Sequence, residues 1–186
     1  MLLEFSGKIE SDVIEFENMP NVNSMTEETQ HYLQSELKRI KESLTEAGRK
    51  MGEAFGPDCD WHDNSAADFA VEEYKRIGVR EAELQSALQN AIIIKPRQEI
   101  DHVDLGNTVV VRLGDSDEDE KFTLLGPQDA ATGRNNGWIS YLSPVGEALM
   151  GMREGESRTF PLGENRKQSV AVKKILPGEF GDDRKD

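Results

Sequence analysis

Asp60 and Asp63 are the residues of this 186-residue chain whose type and spacing most directly offer chemistry. They stand three apart in the run Gly56-Pro57-Asp58-Cys59-Asp60-Trp61-His62-Asp63-Asn64. On the first turn of a helix such a pair shares one face, with Cβ atoms about 5–6 Å apart. Two carboxylates so placed offer hard oxygen ligands. These suit Mg²⁺, which binds oxygen at about 2.0–2.1 Å and keeps several waters. The same residues also read as helix N-caps, because Asp, Asn and Ser satisfy the free N–H groups of a helix start. Spacing alone leaves both readings open. Cys59 and His62 are too few for a soft-metal site, and a single cysteine excludes a four-cysteine zinc site and an internal disulfide.

Two elements must position this acidic segment. The first begins near Met25-Thr26, with Thr26 as N-cap and Glu27 and Glu28 in the first turn, where acids favour the helix dipole. Leu33, Leu37, Ile40, Leu44, Ala47, Met51 and Ala54 then alternate at spacings of four and three, a heptad seam. Gly56-Pro57 stops it. A second seam runs through Ala70, Tyr74, Ile77, Glu81, Leu84, Leu88 and Ala91, with Lys95-Pro96 as its expected end. Two such helices joined by a short turn fold back on each other. At ~1.5 Å per residue, thirty residues make a rod of about 45 Å. Gly48, Gly52 and Gly78 weaken the helices by ~1 kcal/mol each relative to Ala; they permit either close contact or bending. Lys38, Arg39, Lys41, Arg49 and Lys50 line the first helix, either to touch RNA or as an ordinary solvated face.

After residue 96 the pattern changes. Thr108–Leu113, Lys121–Leu125 and Trp138–Leu142 read as strands, with acidic Asp115–Glu120 as the loop between the first two. Ser143 caps and Pro144 opens a short helix through Met150, which Gly151 ends. Ser157–Leu162 and Ser169–Ile175 form a closing hairpin. The expected order is β-β-β-α-β-β. The fold class is therefore α+β: an antiparallel helical coiled-coil hairpin (25–96) followed by a small antiparallel sheet domain with one helix (97–177). Residues 1–24 read as a mobile acidic extension, with Asn23-Ser24 in a loop, and 178–186 as a polar tail. Trp138, Tyr141, Phe122 and Phe160 read as core.

The formal charge of −14, from 36 acids against 22 bases, rules out a basic nucleic-acid footprint. Any action on nucleic acid needs a partner to supply the affinity. With 31% charged and 36% hydrophobic residues, the composition suits a solvated rod beside a small core. The N-terminal residues lack the pattern of a signal peptide, and no apolar run approaches a membrane span, so a cytoplasmic protein without membrane contact is expected.

From residue 25 to about 176 the chain resembles the Gre family of transcript cleavage factors. Met25-Thr26 followed by Leu33-Gln34-Ser35-Glu36-Leu37 resembles the family's helix start. The 56–64 run sits where the family has Gly-Asp-x-x-Glu-Asn. Leu105–Val109 resembles the first strand of the second domain. Ile139-Ser140-Tyr141-Leu142-Ser143-Pro144-Val145-Gly146-Glu147-Ala148-Leu149-Met150-Gly151 resembles the family's Ile-Ser-x-x-Ser-Pro-Ile-Ala-x-Ala-Leu-x-Gly. The resemblance implies an FKBP-like second domain that docks on bacterial RNA polymerase through Ser143, Pro144 and Val145. It implies that the hairpin enters the secondary channel. There Asp60 and Asp63 would hold Mg²⁺ shared with the polymerase, position a water and stimulate cleavage of backtracked RNA, touching the RNA 3′ end only indirectly. The factor would be a monomer when free, not itself an enzyme, and would bind no cofactor alone. Asp63 stands where the family has Glu, and Asp58 is an added acid. The added tip acid also resembles Gre-homologue inhibitors, which block the same channel, and Asp63 has a shorter reach than Glu. An FKBP-like isomerase or chaperone and a plain coiled-coil adaptor are the other readings.

Overall fold

The computed structural model describes residues 23–55, 65–114, 116–132, 137–163 and 166–180. Most of the 1–24 extension, the whole 56–64 run and residues 181–186 lie outside these.

Thr26 takes an extended backbone and caps α1 (Glu27–Ala54), its hydroxyl accepting from the Thr29 N–H at 3.2 Å. α1 packs on α2 (Ser65–Leu88). The order of contacts makes the pair antiparallel: Glu36 meets Arg80 at 2.9 Å, Leu44 faces Gly78 and Gly48 faces Tyr74. The heptad residues Leu33, Leu37, Ile40, Leu44, Ala47, Met51 and Ala54 are all buried or half-buried, as are Ala70, Tyr74, Ile77, Leu84 and Leu88 opposite them. A hydrophobic face at helical period is what drives such pairing. Gly48 serves close contact: a Cβ there would lie 3.4 Å from the Tyr74 ring. Gly52 meets nothing within 4 Å, so it has no packing reason in this pair.

The second helix ends earlier than its seam suggests. It stops at Leu88, and Asn90 takes a left-handed φ of 57°. Asn tolerates that conformation and ends helices by it. The β-branched run that follows leaves the helix and forms β2 (Ile92–Ile93), parallel to β1 (Ser24–Met25). Asn23-Ser24 is thus not a plain loop: Ser24 is buried and belongs to a strand. Met25 anchors the base of the helical pair with Leu33, Leu84 and Ala87.

The remaining strands are β3 (Thr108–Leu113), β4 (Asp119–Leu125), β5 (Trp138–Ser140), β6 (Ser157–Pro161) and β7 (Lys167–Leu176). They form one sheet in the order β5-β4-β3-β7-β6. Two expectations need correction. The sheet is mixed, because β5 runs parallel to β4. There are also two short helices, α3 (Pro127–Thr132) and α4 (Pro144–Leu149). The parallel pair needs a crossover, which α3 supplies. Six residues with no apolar period leave little trace of α3 in the sequence beyond Pro at its first position. Asp119 and Glu120 lie within β4 rather than in a loop.

The sheet core holds Val103, Val109, Val111, Leu124, Tyr141, Leu149, Met152, Phe160, Val170, Val172 and Ile175, with Phe122 packed against it. Tyr141 and Phe160 are therefore filling rather than the lining of an isomerase pocket. Gly178 and Glu179 are tied down: Gly178 N–H donates to the Arg97 carbonyl at 2.9 Å, and Glu179 pairs with Lys121. The polar tail consequently begins later than residue 178.

Candidate functional site

The helical pair determines where the acidic run is presented. The 28 residues of α1 span about 42 Å. Its start contacts α3, and in the antiparallel pair the C-terminus of α1 and the N-terminus of α2 lie at the opposite end. Asp60 and Asp63 connect those two ends, and their side chains lie outside the described residues. The same holds for Asp58, Cys59, Trp61 and His62. As oxygen donors, the two carboxylates would suit a hard cation such as Mg²⁺. Among the described residues, no group of three or more His, Cys, Asp or Glu is arranged to hold a metal. Two apolar side chains flank the run that spacing did not single out. Phe55 follows α1 and is 47% exposed, and Phe69 in the first turns of α2 is 71% exposed.

The flanks of the rod are of mixed charge. Lys38, Arg39, Lys41, Arg49 and Lys50 are exposed. Arg49 bonds Glu46 at 2.6 Å and also pairs with Glu53. The bond from Arg49 holds the Glu46 carboxyl below its ordinary range. Arg80 bridges to Glu36 on the other helix, and that bond raises the guanidinium further above neutrality. A groove between the helices brings Arg39, Lys50 and Arg76 beside Glu42, Glu46 and Glu73. Such alternation describes a solvated, salt-laced helix face.

The 143–145 segment is built by α4. The Ser143 hydroxyl accepts from the Gly146 N–H at 3.1 Å and donates to the Ser140 carbonyl at 2.6 Å. It is a cap with both roles occupied. Val145 packs against the sheet core. Pro144 is exposed, and Leu142, which sequence reasoning passed over, is exposed beside it. Arg158 on β6 closes the other end of α4, donating to the carbonyls of Ala148 and Met150 at 3.1 and 2.9 Å. This satisfies carbonyls that a helix C-terminus leaves free. Gly146 stands where the family pattern has Ala. A Cβ there would lie 2.1 Å from the Ser140 carbonyl, so α4 approaches β5 more closely than alanine permits.

The residue that sequence reasoning missed entirely is Asp129 of α3. It is fully buried and binds Thr26, 103 positions away. Read locally, an Asp after Gly126-Pro127 is only a residue in the first turn of a helix, and nothing in its spacing points to α1.

Comparison with known proteins places these features. Residues 97–177 match the family model described as "Transcription elongation factor, GreA/GreB, C-term". The transcription elongation factor GreA of Thermotoga sp. (strain RQ2) is 33% identical over 153 residues, covering 80% of this chain and 95% of that protein. GreA of Bacillus cereus is 32% identical over 156 residues, with the same coverages of 80% and 95%. Among solved structures, GreA factor homolog 1 of Thermus thermophilus is 27% identical, covering 82% of this chain and 97% of its own, with a TM-score of 0.38.

Proposed function

The chain belongs to the GreA/GreB family of transcription elongation factors, and from that premise we propose that it acts on bacterial RNA polymerase through the secondary channel. In this reading the sheet domain, FKBP-like in outline, docks at the channel rim through the surface around Pro144. The helical pair enters as a coiled-coil hairpin and presents Asp60 and Asp63 to the polymerase active site. The observation that supports it is the antiparallel α1–α2 pair, in which α1 runs about 40 Å from its cap at Thr26 to Ala54. An accessory factor needs that geometry: affinity on one unit, chemistry at the end of a long arm.

At the active site, Asp60 and Asp63 supply oxygen ligands that complete a divalent-cation site begun by the polymerase's own acidic residues. Mg²⁺, if held there, would supply charge stabilisation to the phosphate oxygens. The two carboxylates also orient a water towards the RNA phosphate. The factor alone is inert because most of the site belongs to the polymerase. Two features favour channel inhibition without cleavage as a second reading. Asp63 is one methylene shorter than the family's Glu, about 1.5 Å less reach, and Asp58 adds a further acid.

The test uses a purified, backtracked elongation complex with Mg²⁺. Cleavage predicts a shortened RNA 3′ end, lost in Asp60→Ala and in Asp63→Ala and increased in Asp63→Glu. Slowed elongation without shortening selects the inhibitor. Absence of both an effect and polymerase binding sinks the proposal.

A further inference from the structure

A buried carboxylate of α3, Asp129, binds the start of the helical pair. Asp129 accepts from the Thr26 backbone N–H at 2.9 Å and from the Thr26 hydroxyl at 2.7 Å, both at Oδ1. Its Oδ2 accepts from the Gly126 N–H at 3.1 Å. All three bonds are charge-assisted and shielded from water, which makes them stronger than exposed equivalents. Thr26 is the cap of α1, so the carboxylate grips that helix at its first residue. α2 is tied to the same place through the backbone. The chain after α2 returns as β2 beside β1, and Ile94 N–H donates to the Met25 carbonyl at 2.9 Å. Backbone contact closes the joint: a Cβ on Gly126 would lie 1.7 Å from the Ser24 carbonyl oxygen.

We propose that Asp129 is a positioning residue that fixes the direction in which the helical pair leaves the sheet. Leverage makes this consequential. A tilt of about 10° at Thr26 moves the far end of α1 by about 7 Å. Misplacement of even about 1 Å at a reacting centre is costly. A sheet domain seated on its partner can deliver the 56–64 run to one place only if the angle at Thr26 is held. The consequence for RNA rests on the proposed function; the angle itself does not.

The angle can be measured in the full chain without polymerase. Spin labels at Lys41→Cys and Lys173→Cys, in a Cys59→Ser background, report the distance between α1 and β7 by pulsed electron resonance; both positions are exposed. The parent protein should give one narrow distribution. Asp129→Ala should broaden or split it. It should also lower hydrogen-exchange protection at the Thr26 and Gly126 amides by roughly 10- to 100-fold, while Val109, Val111 and Val172 in the sheet stay protected. If Asp129→Ala does not fold, Thr26→Val decides. It removes the hydroxyl bond to Asp129 together with the cap bond from the Thr29 N–H, keeps the backbone bond to Asp129, and should broaden the distribution less, with Thr26→Ser restoring it. A distribution identical to the parent's in the folded variant overturns the proposal. In the transcription assay, Asp129→Ala should keep polymerase binding and lose the effect that depends on Asp60 and Asp63. A parent protein with no effect on polymerase sinks the proposed function but leaves the distance result to decide the role of Asp129.

Discussion

Adding one methyl group at Gly126 should damage this protein more than at any helical glycine. The new Cβ would stand 1.7 Å from the Ser24 oxygen and 3.2 Å from Asp129 Oδ2. Tolerable contacts begin near 3.0 Å, so β1 must retreat by about 1.3 Å. Thr26 is two residues further on. The same retreat stretches its 2.7 and 2.9 Å bonds to Asp129 towards about 4 Å, past the range of a hydrogen bond. Bonds to a charged group contribute about 1.5–3 kcal/mol each, and overpacking adds about 1–3 kcal/mol of strain. These terms overlap, so Gly126→Ala should cost about 3 kcal/mol or more. Gly52→Ala is the control: its Cβ meets nothing within 4 Å, and helix propensity alone should stabilise by up to about 1 kcal/mol. Urea unfolding followed by helical circular dichroism measures both. If Gly126→Ala falls within about 0.5 kcal/mol of the parent, the span of an ordinary surface substitution, the description of a tight joint between β1 and α3 is wrong.

Leu84→Ala, at a side chain 2% exposed between Met25, Leu33 and Ala87, should cost about 2–5 kcal/mol by emptying the base of the helical pair. A loss under about 1 kcal/mol would mean that this cluster collapses freely on the cavity. Burial pushes the Tyr141 phenol above the usual tyrosine value of about 10. A raised folded-state value gives stability that is full below about pH 10 and lost as pH rises through the folded value. The parent should therefore lose urea resistance more steeply in alkali than Tyr141→Phe, and parallel profiles would contradict this. Asp63→Glu should raise RNA shortening if carboxylate reach limits the tip, and unchanged shortening would remove reach as the explanation.

Much of the molecule was legible in the sequence because its information is local. A heptad period fixes which face of α1 and α2 is apolar, and both seams are buried or half-buried as spaced up to Leu88, where α2 ends short of Ala91. Thr26 and Ser143 cap because a short side-chain oxygen reaches a backbone N–H three residues on. The residues linking the acidic run to its family are also a matter of order along the chain. Three features were decided only by folding. Asn90 ends α2 because the run at Ile92–Ile94 gains a strand partner in Ser24–Met25, far away in sequence. The β4–β5 pair is parallel because α3 carries the chain across, and no single residue encodes strand direction. Asp129 holds Thr26 across 103 positions, and a lone carboxylate in a short helix does not announce its partner. The sequence thus determined the rod and the order of its acidic residues. The tertiary structure decided where the rod points, because direction is set by one buried joint whose two sides come together only when the chain is folded.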